Sequence, residues 1–197
     1  MTSGFDRTPF LFEPRNPVYY PAFFEQCGFR ELHAWDSYDL PAADLCDALT
    51  GQWHVERKAA RARSQFRLSY PDSTDGPAAI ARIHAVLDEV WAGHIGYTSL
   101  DPAEFNEVFG AVMAILPEGY LALLERVEGG DAGLAFSYPD YADAVRRLNG
   151  DATGWGQWRE DPTPKRIVLH TVALAPSARG SSGGLCLFLD DAVAKIR

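Results

Sequence analysis

The sequence has few of the residues that build disulfide frameworks and metal sites. Its 197 residues include three cysteines, and Cys27, Cys46 and Cys186 lie far apart without CxxC spacing. Three cysteines, an odd number at wide spacing, argue against a disulfide scaffold, so we expect a reducing, cytoplasmic compartment. The five histidines form no H-E-x-x-H motif and no Cys/His cluster, so we expect no metal site.

Basic residues and long apolar runs are also scarce. Lys and Arg number 18 against 27 Asp and Glu, which gives a net charge of −9. A nucleic-acid-binding surface needs a basic stripe, so we expect no nucleic-acid partner. No apolar run approaches the length needed to cross a bilayer, and the opening residues MTSGFDR contain no apolar signal-peptide core. We therefore expect no membrane association.

Apolar residues are plentiful enough to build a core. They make up 47% of the chain and include five tryptophans, which suits one domain with at most a small appendage. We divide the chain into a strand-helix-strand segment at 1–40, a polar connector with solvated helical faces at 41–64, and a core at 65–197. In the first segment the predicted strands are at 9–13 and 29–38, and the predicted helix between them is at 20–27. The predicted fold class is α/β, in the sense of a mixed α+β sheet.

Several elements of the core carry clear local signals. Apolar spacing predicts a helix from Ala78 to Trp91, and Asp101 followed by Pro102 is typical of the start of a second helix. Glu128 to Asp131 reads as a hairpin turn. The other predictions are a strand at 65–70, hairpin strands at 120–127 and 132–138, and a short helix that Asp140 caps and that ends at Leu148.

The most informative stretch is 165–184, KRIVLHTVALAPSARGSSGG. Residues 166–175 are dense in β-branched and aliphatic side chains, which predicts a strand buried on both faces. Pro176 ends the strand, and a turn of small residues follows. From Leu185 to Ile196 the apolar residues recur with helical spacing, so the predicted order is strand, small-residue turn, helix.

A small-residue turn at the start of a helix offers backbone N–H groups to phosphate oxygens. Glycine there permits positive φ and close approach of a ligand. The turn lacks the Lys-Ser/Thr of a P-loop and the G-x-G-x-x-G spacing of a dinucleotide-binding fold. A glycine-rich turn that only packs tightly is the alternative interpretation of the same residues.

The stretch resembles motif A of the GNAT superfamily of N-acetyltransferases. In that motif a strand ending in V-x-P is followed by Arg/Gln-x-x-Gly-x-Gly/Ala. Here Val172 to Pro176 are followed by Arg179-Gly180-Ser181-Ser182-Gly183-Gly184, with Ser182 where the family usually has glycine. The order of the predicted elements from 65 to 197 also resembles the first two-thirds of a GNAT domain.

The resemblance implies acetyl-CoA or another acyl-CoA as co-substrate. The pantetheine amides would extend the sheet beside Val172 and Leu174. The pyrophosphate would lie on backbone N–H groups of the turn, and Arg179 would add a charge-assisted contact. The implied cofactor-binding residues are Val172, Leu174, Arg179, Gly180, Ser181, Ser182, Gly183 and Gly184.

Candidate catalytic residues follow from the same resemblance. His170 is the first candidate for the base, since an imidazole titrates near neutral pH; a histidine satisfied by neighbouring groups is the alternative. Glu125 is the second candidate, with a solvent-facing carboxylate as the alternative. In many members a tyrosine four residues before a helix-ending glycine acts as the general acid. In this chain that position is occupied by Phe24. The nearest phenols are Tyr19 and Tyr20, and we take Tyr20 as the candidate acid.

Two more residues have an expected place beside the acceptor. Tyr138 and Asp140 follow the second hairpin strand and could border the acceptor pocket, although Asp140 is also explained as a helix cap. The acceptor itself is expected to be the amine of a small molecule.

Segment 1–40 resembles the closing portion of a GNAT unit, and members normally continue beyond the helix that here ends at 197. We therefore expect a permuted GNAT-like fold in which residues 1–40 complete the sheet, within one chain or in a swapped homodimer. Two functions are compatible with these observations. One is acyl transfer from acyl-CoA to a small-molecule amine; the other is a non-catalytic module that binds CoA or a partner protein.

Overall fold

The computed structural model describes residues 3–71, 74–114, 116–154, 166–180 and 183–196. It divides the chain into two compact units, one of Met1–Asp39 with Pro139–Val168 and one of Leu40–Tyr138 with Leu169–Arg197. The described α-helices are α1 Tyr20–Gln26, α2 Ala42–Asp47, α3 Val55–Ala62, α4 Gly76–Trp91, α5 Pro102–Met113, α6 Ala142–Leu148 and α7 Gly184–Ile196. The described strands are β1 Phe66–Ser69, β2 Leu121–Arg126, β3 Asp131–Pro139 and β4 Ile167–Leu174.

The described strands form one sheet in the order β1-β2-β3-β4. β1 runs antiparallel to β2, with Phe66 opposite Arg126, and β2 runs antiparallel to β3, with Leu121 opposite Phe136. The Ala175 N–H donates to the Ala132 carbonyl at 2.8 Å, where the start of β3 meets the end of β4. The predicted hairpin and the α+β class are thus confirmed.

Alternate residues of β2 face opposite sides of the sheet, as the two-residue period of a strand requires. Leu121 and Leu123 join a core cluster with α4 and α5. Ala122 and Leu124 join a second cluster with α3 and α7. The sheet of the second unit therefore has helices on both faces, and β4 contributes Ala173 to the cluster with α4 and α5.

The predicted helices of the core are confirmed, including the cap of α5. The Asp101 carboxylate accepts a hydrogen bond from the Ala103 N–H at 2.8 Å, which satisfies one of the free donors at the helix start. Helix α7 begins at Gly184, directly after the small-residue turn. The core helices form where the sequence predicts them because apolar spacing and capping residues are local signals, each contained within one helix.

The region 41–64, predicted as a polar connector, contributes to the core. Val55, Ala59 and Ala62 recur at helical spacing on α3 and are buried. Ala59 and Ala62 share a cluster with Leu187 and Phe188 of α7. Small side chains let the two helices approach closely, while the basic residues Arg57, Lys58 and Arg61 remain exposed.

The prediction that β4 is buried on both faces is wrong. Ala173 is buried, but Leu169 is 50% exposed and Val172 37% exposed. In the described residues β4 has β3 as its neighbour in the sheet and lies at the sheet edge. An apolar run in the sequence does not distinguish an edge strand from a central one, because the difference depends on neighbours that are remote in the chain.

The first unit contains α1 and α6 and is organised around Asp140. One carboxylate oxygen of Asp140 accepts hydrogen bonds from the backbone N–H groups of Leu11, at 2.9 Å, and Ala142, at 3.0 Å. The other oxygen accepts from the Arg166 Nε at 2.9 Å. Asp140 therefore caps the start of α6, as predicted, and its carboxylate is used for structure.

Segment 3–40 contains α1 but no strand among its described residues, so the predicted strands at 9–13 and 29–38 are absent. Residues 29–39 have no regular secondary structure and are exposed. The expectation that residues 1–40 complete the sheet within one chain is therefore wrong for this structure. The helix predicted at 20–27 is confirmed.

Candidate functional site

The candidate site lies along the outer edge of β4 and in the turn that leads to α7. Of the residues predicted to bind the cofactor, the edge of β4 carries Val172, which is exposed, and Leu174, which is half-buried. An edge strand presents backbone N–H and C=O groups that another extended molecule can pair with. Because β4 leads directly into the turn before α7, one ligand could contact both.

His170 projects from β4 toward two aromatic side chains. Its ring centroid lies 5.4 Å from the ring of Phe136 and 6.1 Å from that of Tyr138. The Nδ1 atom lies 2.8 Å from the Thr171 hydroxyl oxygen. The residue as a whole is exposed, but these rings partly shield the imidazole from water, and this desolvation lowers the pKa of His170 below its ordinary value.

A lowered pKa leaves the imidazole neutral at pH 7, so His170 can accept a proton from a reacting group. Tyr138, predicted to border the acceptor, is 5% exposed and lies beside this ring. Asp140, the other predicted neighbour of the acceptor, binds Arg166 and backbone N–H groups within the first unit. The sequence prediction for His170 is thus compatible with its surroundings, while Asp140 has a structural role.

Glu125 is not suited to act as a base. Its carboxylate accepts hydrogen bonds from the Ser69 hydroxyl at 2.7 Å, the Arg67 Nε at 2.6 Å and the Arg82 guanidinium at 2.6 Å. These contacts lower the pKa of Glu125 to about 2. A carboxylate with so low a pKa is a very weak base. Glu125, the second candidate base from the sequence, therefore has a structural role in ion pairs with Arg67 and Arg82.

The turn after β4 uses part of its polar backbone internally. Pro176–Ala178 form a single 3₁₀ turn, and the Arg179 N–H donates to the Pro176 carbonyl at 3.3 Å. The Arg179 Nε donates to the Leu174 carbonyl at 2.9 Å. Arg179 therefore folds back onto the end of β4, which was not expected from the motif.

The glycines of the turn fall into two environments. Gly180 has a φ of +79° and faces open space, so its backbone is accessible. Gly183 has a φ of +74°, and a Cβ there would come within 3.1 Å of the Lys58 carbonyl and 3.2 Å of the Ala62 Cβ. Gly184, the first residue of α7, is buried. Close packing against α3 accounts for a glycine at 183, whereas Gly180 is exposed and open to a ligand. Ser181 and Ser182, which are also predicted to bind the cofactor, lie outside the described residues.

Two cationic residues near the turn were not found by sequence reasoning. The Arg126 guanidinium donates to the Ser177 hydroxyl at 2.6 Å and to the Asp131 carbonyl at 2.7 Å. The backbone of Lys58 contacts Gly183, and its charge acts on Cys186 of α7. No sequence signal links these residues to the turn, because they reach it through strand pairing and helix packing.

Tyr20 lies at the start of α1 in the first unit. Its side chain is exposed, and its ring centroid lies 5.3 Å from that of Tyr19. The Phe24 ring contacts Phe29 edge-on at 5.6 Å, so the position of the expected acid is occupied by an aromatic packing contact. The role of Tyr20 stays a prediction.

Within the described ranges no group of three or more His, Cys, Asp or Glu side chains is placed to hold a metal ion. An open cavity of about 530 Å³ in the first unit is lined by Phe5, Arg15, Asn16, Pro17 and Val18. The Arg15 guanidinium there donates to the carbonyls of Phe5 and Arg7, so its charge is directed at the backbone.

None of the described helices has both the length and the hydropathy needed to cross a membrane. Comparisons of the chain with family models, with curated proteins and with solved structures gave no match.

Proposed function

We propose that the second unit is a GNAT-like acyltransferase that moves an acyl group, with acetyl expected, from acyl-CoA to the amine of a small molecule. The supporting observation is the arrangement of its elements. A strand is followed by two helices on one face of the sheet, a hairpin, an edge strand and a glycine turn, and the next helix covers the other face. The order of these elements is the one that the resemblance implied, although β4 lies at the edge of the described sheet and not between two strands as expected.

The edge of β4 and the open part of the turn are the surfaces for the co-substrate in this proposal. The pantetheine amides would pair with the edge backbone near Val172. The pyrophosphate would lie near Gly180, which is exposed, with the cationic groups of Arg126 and Arg179 close to the same turn. Guanidinium groups form strong charge-assisted hydrogen bonds with phosphate.

In the proposed reaction the neutral imidazole of His170 removes a proton from the attacking ammonium or amine. The amine nitrogen forms a bond with the thioester carbonyl carbon, and the carbon–sulfur bond breaks to release the CoA thiolate, which then takes up a proton. Positioning both reactants beside β4 supplies much of the rate enhancement. No step is assigned to Tyr20.

A two-part measurement tests the proposal. Calorimetric titration with acetyl-CoA measures binding, and an assay of free thiol with a panel of small amines measures transfer. We expect binding and amine-dependent thiol release. Absence of acetyl-CoA binding would contradict any role of the turn in holding CoA.

The second candidate function is a non-catalytic module that binds CoA or a partner protein. Two observations favour it: Gly183 is packed against α3, and the Arg179 side chain is bonded to the Leu174 carbonyl. Both reduce the part of the turn that is open to a pyrophosphate, so they favour weaker CoA binding without turnover, or a partner protein in place of CoA. Binding of acetyl-CoA without thiol release for any amine would support this function over the transferase.

A further inference from the structure

The first unit exposes an unusual concentration of apolar surface on one extended segment. We call residues 29–39 the aromatic arm. Its large apolar side chains are Phe29 at 63% exposure, Leu32 at 84%, Trp35 at 66% and Tyr38 at 79%. Monomeric proteins rarely leave so many large apolar residues together in water.

Among the described residues, the backbone of the arm has no partner beyond Phe29, whose N–H donates to the Phe24 carbonyl at 3.0 Å. Within the described part of the chain, no backbone N–H or C=O of residues 30–39 takes part in a hydrogen bond. The carboxylate of Asp39 lies 3.7 Å from the Arg166 guanidinium, which holds the end of the arm within the first unit. The arm is therefore tethered but unpaired on its own chain.

The sheet of the second unit has an edge strand with no neighbour on one side among the described strands. β4 lies at the edge of the sheet formed by the described strands, and Leu169 on this strand is half exposed. A long apolar edge strand favours pairing with another extended chain. The half of β4 around Leu169 is the better place, because at the other end the Leu174 carbonyl already accepts a hydrogen bond from Arg179.

From these observations we propose that two copies of this chain form a reciprocal dimer, in which the aromatic arm of each copy adds as a strand to the edge of β4, around Leu169, in the other copy. Each copy then pairs the backbone groups of the arm that face β4 and covers part of the apolar surface that it leaves exposed alone. The partner's arm would lie next to His170, so the second copy contributes to the surface around the candidate base. This proposal does not depend on the proposed function.

Charge favours the same pairing. The arm carries three acidic residues, Glu31, Asp36 and Asp39, against Arg30 alone. The stretch 165–179 contains basic residues and no acidic residue. The acidic arm would therefore meet a strand that contains no acidic residue, so the pairing brings no like charges together along β4.

The area is sufficient for a stable dimer. Burying large apolar and aromatic side chains removes roughly 150–250 Å² of surface for each aromatic residue. Two arms together with the surfaces they cover would bury about 2,000 Å², which lies at the upper end of the range for specific interfaces. The exchange is closed and two-fold symmetric, so it ends at two copies.

The test uses substitutions on each side of the proposed contact. Leu32→Asp alters the arm and Leu169→Asp alters the edge of β4; both side chains are exposed, so the isolated fold should tolerate the change. Sedimentation over a wide concentration range should show that the unaltered chain dimerises and that either variant raises the dimer dissociation constant about a hundredfold. Ile95→Asp, at an exposed apolar residue outside the arm and β4, is the matched control and should leave the constant unchanged.

Mixing the two variants distinguishes reciprocal exchange from other dimers. In the mixed dimer the unaltered arm of the Leu169→Asp chain meets the unaltered strand of the Leu32→Asp chain, so one of the two contacts is intact. We expect the mixture to form more dimer than either variant alone, with circular dichroism confirming that both fold.

Three results would each overturn the proposal: an unaltered chain that stays monomeric at every concentration, a dimer that resists both substitutions, or a mixture that dimerises no better than its components. The second would place the interface elsewhere, and the third would indicate arms that pair with each other.

Discussion

Gly183 lies directly against the backbone carbonyl of Lys58, so that a Cβ at this glycine would come within 3.1 Å of the carbonyl oxygen. This contact fixes the start of α7 against α3. A glycine in the motif that resembles a phosphate-binding turn is therefore required for helix packing, whether or not a ligand binds. It also divides the turn into a packed part at Gly183 and an open part at Gly180.

Gly183→Ala should destabilise the fold more than Gly180→Ala. Both glycines have positive φ, so each substitution costs about 1–2 kcal/mol of backbone strain. Only the methyl group at 183 also meets α3, which adds about 1 kcal/mol or more. Urea unfolding followed by circular dichroism measures both; equal losses would show that α3 yields to the methyl group without cost.

The open part of the turn provides a matched test of CoA binding. Gly180→Asp and Gly180→Asn introduce side chains of nearly equal size that both tolerate positive φ, but only Asp adds a negative charge. If the pyrophosphate lies near Gly180, the Asp variant should bind acetyl-CoA about tenfold more weakly than the Asn variant. Calorimetry compares the two, and equal affinities would place the phosphates away from this residue.

His170→Ala should lower turnover far more than it lowers acetyl-CoA binding, because the imidazole acts on the amine proton. The pKa of His170 is lowered by desolvation, so its neutral form persists to below about pH 6.5. Turnover should therefore be constant at neutral pH and fall as the pH drops through the lowered pKa.

Thr171→Val is the control for His170. It removes the hydroxyl that lies 2.8 Å from the His170 Nδ1 and preserves the shape of the side chain. It should shift the pH profile and leave the maximal rate largely unchanged. A His170→Ala variant with the turnover and pH profile of the unaltered chain would remove His170 from the mechanism.

Glu125→Gln should change how stability depends on acid. The pKa of Glu125 is lowered to about 2, chiefly by hydrogen bonds from Ser69, Arg67 and Arg82. A carboxyl with a lower pKa in the folded state contributes stability above its unfolded value of about 4.3, and loses it as the pH falls toward the folded value. Unfolding free energies measured from neutral pH down to pH 3 should decline less steeply in the variant; an unchanged slope would assign the acid sensitivity to other groups.

Gly133→Ala tests the close approach of β3 and β4. A Cβ at Gly133 would lie 2.4 Å from the Ala173 carbonyl oxygen and 2.9 Å from the Leu174 Cδ2. Because backbone atoms must move to admit it, we expect a loss of about 3 kcal/mol or more. Gly110→Ala is the control, since a Cβ there has an ordinary 3.7 Å contact with Ile80 and lies in α5, where alanine is favoured.

The sequence by itself determined the elements whose signals are local. Helix α5 with its Asp101 cap, the β2–β3 hairpin and the succession of β4, turn and α7 follow from spacing, capping and turn residues that lie within each element. The same is true of Asp140, whose role as a cap was predicted from its place before α6. Local signals suffice here because the groups that interact are close in the chain.

Only the tertiary structure decided what those elements meet. It placed β4 at the sheet edge, joined α3 to α7, bound Glu125 to Arg82 and brought Arg126 to the turn. It also left the backbone of residues 30–39 without a hydrogen-bond partner in the part of the chain that is described. These outcomes depend on which remote surfaces bury one another, and hydrophobic burial is non-directional, so an apolar run specifies that it will be covered but not by what.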